Sequence, residues 1–196
     1  MKTYTFHVSL PGAGRVWRKI EMDADQTLQD LHFAIQRAYA WDADHLYSFF
    51  MSGKAWDSSS EYTLPEGASP WGDVVEVEEE KEEPDLSPEE REKALRELFG
   101  GGAGMTVEEM EAELTAFWED VLAEEEAARS RDVRTTTIEE LNLKPKQEFT
   151  YLFDYGDEWR FKVRVHAINE NAEPTAEYPR VVESVGEAPE QYPDWE

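Results

Sequence analysis

Hydrophobic side chains recur at every second residue near both ends of the chain, and this two-residue period is the strongest limit on the fold. In residues 3–10 the apolar positions are Tyr4, Phe6, Val8 and Leu10, with polar side chains between them. In residues 149–165 the same alternation runs on both sides of a Gly-Asp turn. Strands with one buried face show this period, so we predict a strand near the N-terminus and a hairpin near the C-terminus.

A second strand and a helix are predicted after the first strand. The turn at 11–14 leads into a strand over Val16–Met22, which completes an opening hairpin. Thr27 and Asp30 have the spacing of a capping box, and an apolar stripe continues from there to about Tyr39. Further short strands are predicted at 47–51 and 74–77. The pattern as a whole indicates an α+β domain.

A segment in the middle of the chain carries most of the negative charge. The 196-residue chain has a formal net charge of −26. Residues 76–130 hold 20 acidic and 5 basic side chains, a net −15, which leaves −11 for the rest of the chain. This concentration favours a local role for the acidity over a generally halophilic surface. The global field disfavours binding to duplex nucleic acid and to anionic membranes.

The same segment has two helix starts. Ser87 with Glu90, and Thr106 with Glu109, have capping-box spacing, and an amphipathic pattern follows each pair. The glycine-rich run 100–104 separates the two patterns and lacks the Gly-Lys-Ser/Thr ending of a phosphate loop. We therefore predict an acidic helical hairpin. The predicted division is one discontinuous α+β domain, 1–77 with 133–196, and an insertion at 78–132.

Composition narrows the remaining classes of protein. Hydrophobic residues make up 40% of the chain and aromatic residues 12%, which is enough for a folded core. The chain has no cysteine, so a disulfide framework and a thiolate metal site are excluded. It has no apolar run of the length of a signal peptide or a membrane span. We expect a cytoplasmic protein.

Four side chains form the set of catalytic candidates: Asp154, Asp157, His32 and His45. Paired carboxylates with imidazole suit Mg²⁺, Mn²⁺ or Zn²⁺, or acid–base catalysis. A structural interpretation competes with this one. In a turn over Asp154, Gly156 and Asp157, an Asp side chain can accept backbone N–H groups while Gly156 supplies a positive φ, and one of the two aspartates can neutralise Arg18. His32, at the edge of the helix stripe, would then be a hydrogen-bonded boundary histidine.

A basic strand face is unusual in so acidic a chain. Its residues alternate with apolar ones and are Arg160, Lys162, Arg164 and His166. This face could bind an anionic ligand or a single nucleic-acid strand, but neutralisation by the chain's own acidic insertion is favoured, because an intramolecular partner is present at high effective concentration. Trp17 and Arg18 of the second strand complete the predicted binding residues. Arg18 breaks the pattern because it is on the core side of its strand, and a buried arginine needs a partner.

Three motifs together resemble the plasmid pRiA4b ORF-3-like family, some members of which are labelled passenger proteins of insertion elements. They are Val16-Trp17-Arg18-Lys19-Ile20, the helix segment from Thr27 to Gln36 followed by Trp41 and His45, and the stretch from Tyr151 to Trp159. The resemblance covers roughly 1–75 and 135–196. It implies an α+β fold with a hairpin and helix in ubiquitin-like order, here with a mixed or antiparallel sheet, and no established activity. Family members often carry His two residues after the motif Trp, where this chain has Phe161.

Two classes of function remain open from the sequence. We expect a non-catalytic binding module with a protein partner or a small anionic ligand. The alternative is a small metal-dependent enzyme, hydrolase-like or nuclease-like, that uses Asp154, Asp157 and either His32 or His45. A resolvase-like activity, which some family labels imply, has no nucleophilic serine motif to support it.

Overall fold

A computed structural model describes residues 1–65, 67–70, 87–98, 105–129, 131–173 and 177–192. The predicted strand at 74–77 and the glycine turn at 100–104 lie outside the described residues. The chain divides into two compact units, Met1–Val74 with Ser130–Glu196, and Val75–Arg129.

The first unit contains a seven-stranded sheet within the part of the chain that the structure describes. The strands are β1 (Thr3–Ser9), β2 (Trp17–Asp23), β3 (Tyr47–Phe50), β4 (Glu61–Thr63), β5 (Glu148–Phe153), β6 (Trp159–Asn169) and β7 (Arg180–Val185). Their order in the sheet is β4-β3-β5-β6-β1-β2-β7, and every pair is antiparallel. The two predicted hairpins, β1–β2 and β5–β6, are confirmed.

Helix α1 (Leu28–Tyr39) covers one face of this sheet. Thr27 and Asp30 form the predicted capping box, in which each side chain bonds the backbone of the other residue. Leu28, Leu31 and Ile35 are buried on the sheet-facing stripe. The core beneath them is largely aromatic, and its fully buried rings include Tyr4, Phe6, Phe149, Tyr151, Phe153 and Phe161. Burial of each such ring stabilises the fold by roughly 1.5–3 kcal/mol.

The second unit contains helices α2 (Pro88–Leu98) and α3 (Val107–Arg129). Both start with the predicted capping chemistry. The backbone N–H of Ser87 donates to Glu90 at 3.0 Å, and that of Thr106 donates to Glu109 at 2.8 Å. Negative side chains in the first turn also suit the positive end of the helix dipole. The two helix starts are therefore confirmed.

Candidate functional site

The four catalytic candidates do not converge. His45 Nε2 lies 3.4 Å from Asp154 Oδ2, so the structure brings these two together. His32 is fully buried in the core, and Asp157 is exposed in the β5–β6 turn. Among the described residues, no group of three or more His, Asp and Glu side chains could hold a metal ion.

His45 and Asp154 belong to a cluster that fastens the C-terminal segment. The Tyr192 hydroxyl donates to Asp44 Oδ2 and lies 3.3 Å from His45 Nε2. Burial alone would raise the pKa of Asp44, but the bond from Tyr192 and the nearby His45 hold it below its usual value. The Gln191 side chain bonds the backbone N–H and carbonyl of Asp42 and donates to the Asp44 side chain. Trp41 Nε1 donates to Pro189 O at 2.8 Å. These contacts hold the segment from Pro189 to Tyr192 against the loop at 41–45.

Asp154 has a structural role in its turn. Its Oδ1 accepts the N–H groups of Gly156 at 2.8 Å and Asp157 at 3.3 Å, as predicted. The positive φ angles of the turn belong to Asp154 (57°) and Glu158 (52°), so the prediction that Gly156 supplies them is wrong. Asp side chains tolerate this conformation because they bond locally to the backbone.

His32 is an inner part of the core, and the prediction that it lies at the boundary is wrong. Its ring stacks on Tyr47 at a centroid distance of 3.7 Å, and Nδ1 lies 2.7 Å from the Tyr151 hydroxyl. Gln36 donates its own 2.7 Å bond to the same hydroxyl oxygen, which leaves the Tyr151 proton for His32 Nδ1. Burial lowers the pKa of His32 to about 3, so the ring is neutral at physiological pH. The ring is fully buried, so an ion in solvent cannot reach it.

Arg18 is buried as predicted, but its predicted pairing with Asp154 or Asp157 is wrong. Nε donates to Ala38 O at 2.8 Å, and Nη1 donates to the carbonyls of Trp17, Val185 and Gly186 at 2.9–3.2 Å. The guanidinium also lies over the Tyr39 ring, 4.8 Å from its centroid. The positive charge therefore sits at the C-terminus of α1, where the helix dipole is negative. No carboxylate is required.

The other face of the sheet carries a row of basic side chains across three adjacent strands. Arg164 of β6 is directly opposite His7 of β1, and His7 is opposite Lys19 of β2. Directly opposed residues project from the same face of a sheet. Glu148 and Glu183 end the row on β5 and β7. We call Trp17 and the five basic side chains of His7, Lys19, Lys162, Arg164 and His166 the basic face.

His7 lies among other basic side chains of the basic face. The ring centroids of Trp17 and His7 are 4.8 Å apart. Lys19 Nζ lies 5.6 Å from the Trp17 centroid. Burial lowers the pKa of His7, and the nearby charges of Lys19, His166 and Arg164 lower it further. The charged form of the His7 imidazole is thus disfavoured, although the chain as a whole has a net charge of −26.

The cations at the edges of the face already hold carboxylates. Lys19 pairs with Glu183 at 2.7 Å, and Lys162 pairs with Glu148 at 2.8 Å. Arg164, between them and exposed, makes no ion pair with any residue that the structure describes. The centre of the face therefore carries a cation that no described carboxylate neutralises.

A family model described as plasmid pRiA4b ORF-3-like protein matches residues 2–192. The chain belongs to this family. No curated protein matches it. The crystal structure of a protein of unknown function from Methanosarcina mazei Go1 is similar over 93% of this chain and 69% of that one, with a TM-score of 0.50 and 20% identity. That likeness concerns the fold alone. No described helix has the length and apolar character needed to cross a membrane.

Membership of the pRiA4b ORF-3-like family clarifies what its motifs do in this chain. The stretch from Tyr151 to Trp159 supplies the second half of β5, the Asp154 turn and the start of β6. Phe161 is buried against Tyr39 and Trp41, so the position that often carries His in the family is a core position here. The matched span also includes residues 78–132, which the resemblance had not covered.

Sequence reasoning found part of the basic face. Trp17, Lys162, Arg164 and His166 were predicted, whereas His7 and Lys19 were missed. Both missed residues occupy polar positions of alternating strands, so the strand pattern held the signal. Arg160, the remaining predicted cation of β6, pairs with Glu158 at the turn. Arg18 faces the opposite side of the sheet.

Proposed function

We propose that this protein is a non-catalytic binding module whose basic face binds an acidic, extended segment of a partner protein. The observation that carries the proposal is the row Arg164, His7 and Lys19 on three hydrogen-bonded strands, with Trp17 stacked beside it. The scaffold is the β-β-α-β body, whose order the family resemblance describes as ubiquitin-like.

Carboxylates are the anions that the face already accepts. Each edge cation, Lys19 and Lys162, holds a glutamate of a neighbouring strand within 2.8 Å. Lys162 and Arg164 are alternate residues of β6, so their positions are spaced by about 6.8 Å, and His166 follows where the register with β1 shifts. Acidic side chains at alternate positions of an extended peptide have the same spacing. Such a peptide therefore matches the face better than a single small anion does.

Long-range and short-range electrostatics act in opposite directions on this partner. A net charge of −26 repels an acidic peptide at a distance, whereas the basic face attracts it at contact. At about 0.15 M salt the Debye length is about 8 Å, so distant charges are screened and the contacts decide the affinity. We expect modest affinity that depends on the local cations.

The predicted alternative is that the acidic insertion at 78–132 neutralises the same face. It has a distinguishable consequence, because an internal competitor at high effective concentration would weaken the binding of any external peptide. Replacement of glutamates in the insertion by glutamine would then tighten the binding of an external acidic peptide.

Fluorescence anisotropy with a labelled peptide that has Glu at alternate positions tests the proposal. Arg164→Glu turns an attraction into a repulsion and is expected to change the binding free energy by about 1–2 kcal/mol, a five- to thirtyfold loss of affinity. Lys93→Glu, an exposed site on α2 with the same change of charge, is the matched control and is expected to bind like the wild type.

Equal loss of affinity in Arg164→Glu and Lys93→Glu would contradict the proposal, because it would mean that only the net charge matters. Tighter binding of a single-stranded oligonucleotide than of the acidic peptide would contradict the choice of partner. Circular dichroism spectra of both variants establish that the fold is unchanged.

The geometry gives less support to the metal-dependent enzyme. His32 is buried, Asp157 is exposed at the turn, and His45 and Asp154 are engaged in fastening the tail and the turn. No observation on the described residues favours a hydrolase-like or nuclease-like reaction.

A further inference from the structure

The two helices of the second unit differ greatly in length. Helix α2 has 11 residues and α3 has 23, which correspond to about 16 Å and about 34 Å at 1.5 Å per residue. A helix pair of unequal lengths leaves part of the longer apolar face without a partner from the shorter helix. The apolar stripe of α3 extends beyond the reach of α2 in this way.

Side-chain exposure shows which part of α3 is buried and which part is not. Met110 in the first turn of α3 is fully buried, and Leu95 of α2 is 4% exposed. Two turns further along α3, Phe117 is 57% exposed, Trp118 53% and Leu122 61%. Trp118 and Leu122 are four residues apart and form one apolar strip. The Phe117 ring lies beside it, with its centroid 5.5 Å from that of Trp118.

The strip borders a groove between the helices. Its floor is formed by Leu95, Leu114, Trp118 and Leu122, its acidic rim includes Glu111 and Glu119, and its volume is about 530 Å³. From Leu114 to Leu122 the floor runs for eight residues, or about 12 Å. That length accommodates the apolar positions i, i+4 and i+7 of one docked helix, which is a common mode of peptide recognition.

Charge selects the occupant of this groove. The unit Val75–Arg129 holds 20 acidic and 5 basic side chains, a net −15. A second copy of the same unit would bring like charges together, which opposes self-association through this face. A helix with lysines or arginines beside its apolar stripe would gain both apolar burial and charge complementarity.

We propose that the groove between α2 and α3 binds a basic amphipathic helix of a partner protein. Trp118 and Leu122 are the apolar anchors, and the glutamates of the rim contact the flanking cations. Aromatic residues at the centre of an interface often carry a large share of its binding energy. This surface is separate from the basic face and opposite in charge, so it selects a different ligand.

Anisotropy with the full chain and a labelled 18-residue helical peptide tests this inference. The peptide has leucine at i, i+4 and i+7 positions and lysine elsewhere on its flanks. One matched peptide replaces leucine with alanine at unchanged charge, and another replaces lysine with glutamate. We expect the leucine–lysine peptide to bind at least tenfold more tightly than either.

Substitutions in the chain test whether the helical peptide binds at this groove. Trp118→Ala and Leu122→Ser are expected to weaken binding at least tenfold, because each removes an anchor. Leu46→Ser, at a 45% exposed leucine of the first unit, is the matched control and is expected to bind like the wild type. Since all three positions are exposed, the helical circular dichroism signal is expected to persist.

Three results would overturn the inference. Equal binding of the alanine–lysine peptide would show attraction by charge alone. Equal losses in Leu122→Ser and Leu46→Ser would place the binding elsewhere. Sedimentation that shows a dimer of the full chain, lost in Trp118→Ala, would mean that a second copy occupies the groove. Lys19 and Arg164 variants are expected to leave this binding unchanged, which separates it from the proposed function.

Discussion

Acid is expected to destabilise this protein through His32, and a single substitution isolates the effect. Burial lowers the pKa of His32 from 6.5 to about 3 in the folded state. The unfolded chain therefore binds a proton at His32 between these two pH values, and the folded chain does not. Because the unfolded state binds more protons, the free energy of unfolding falls as the pH falls through this window.

The magnitude follows from the two pKa values. Each pH unit between them contributes about 1.4 kcal/mol, so at pH 5 the contribution of His32 is about −2 kcal/mol relative to pH 8. The His32→Phe variant keeps a ring stacked on Tyr47 and removes the titration. At pH 8 it loses the bond with Tyr151 and is expected to be about 1 kcal/mol less stable than the wild type.

Urea unfolding of both proteins at pH 8, 6.5 and 5 measures the effect. All other titrating groups are common to both, so the difference between the two curves reports His32. We expect the wild type to be the more stable protein at pH 8 and to lose this advantage by pH 5. Parallel curves would refute a buried, neutral His32.

Two further predictions concern the buried Arg18 and the catalytic candidates Asp154 and Asp157. Arg18→Met removes charge-assisted bonds to several backbone carbonyls and is expected to destabilise the fold by at least about 3 kcal/mol. Its effect and that of Asp154→Asn are expected to be additive within about 0.5 kcal/mol. A coupling free energy above about 1 kcal/mol in a double-mutant cycle measured by thermal unfolding would mean that the two side chains are partners. Mg²⁺, Mn²⁺ and Zn²⁺ are expected to leave the melting temperature of the wild type and of Asp157→Asn unchanged. If a metal site existed, a metal concentration of 100 times its dissociation constant would raise the free energy of unfolding by about 2.7 kcal/mol. A metal-dependent rise that is lost in Asp157→Asn would restore the enzyme hypothesis.

Local patterns in the sequence were enough to predict most of the elements. Strands β1, β2, β5 and β6 were predicted because one face of each is buried, and this forces a two-residue period. The starts of α1, α2 and α3 were predicted because capping chemistry is local. Strand β7 was missed since most of its side chains are exposed, so burial imposes no alternation on it.

Contacts between distant segments could not be predicted in the same way. The partners of Arg18 are backbone carbonyls. Because every residue has one, no pattern of side chains in the sequence predicts which carbonyls bind Arg18. The approach of His45 to Asp154 follows from the pairing of β3 with β5, whose register depends on the whole sheet. The basic face was found only in part for the same reason, because His7 and Lys19 join Arg164 through strand order.

Chemical-shift mapping by NMR tests the central claim most directly. The wild-type chain, labelled with ¹⁵N, is titrated with the alternating-glutamate peptide at about 0.15 M salt, where the Debye length is about 8 Å. We predict that the largest shifts occur at the amides of His7, Lys19 and Arg164 and at the Trp17 indole, and that Arg164→Glu raises the peptide concentration needed to reach them about five- to thirtyfold. Shifts confined to other parts of the chain, or none at saturating peptide, would contradict the assignment of the basic face as the binding site.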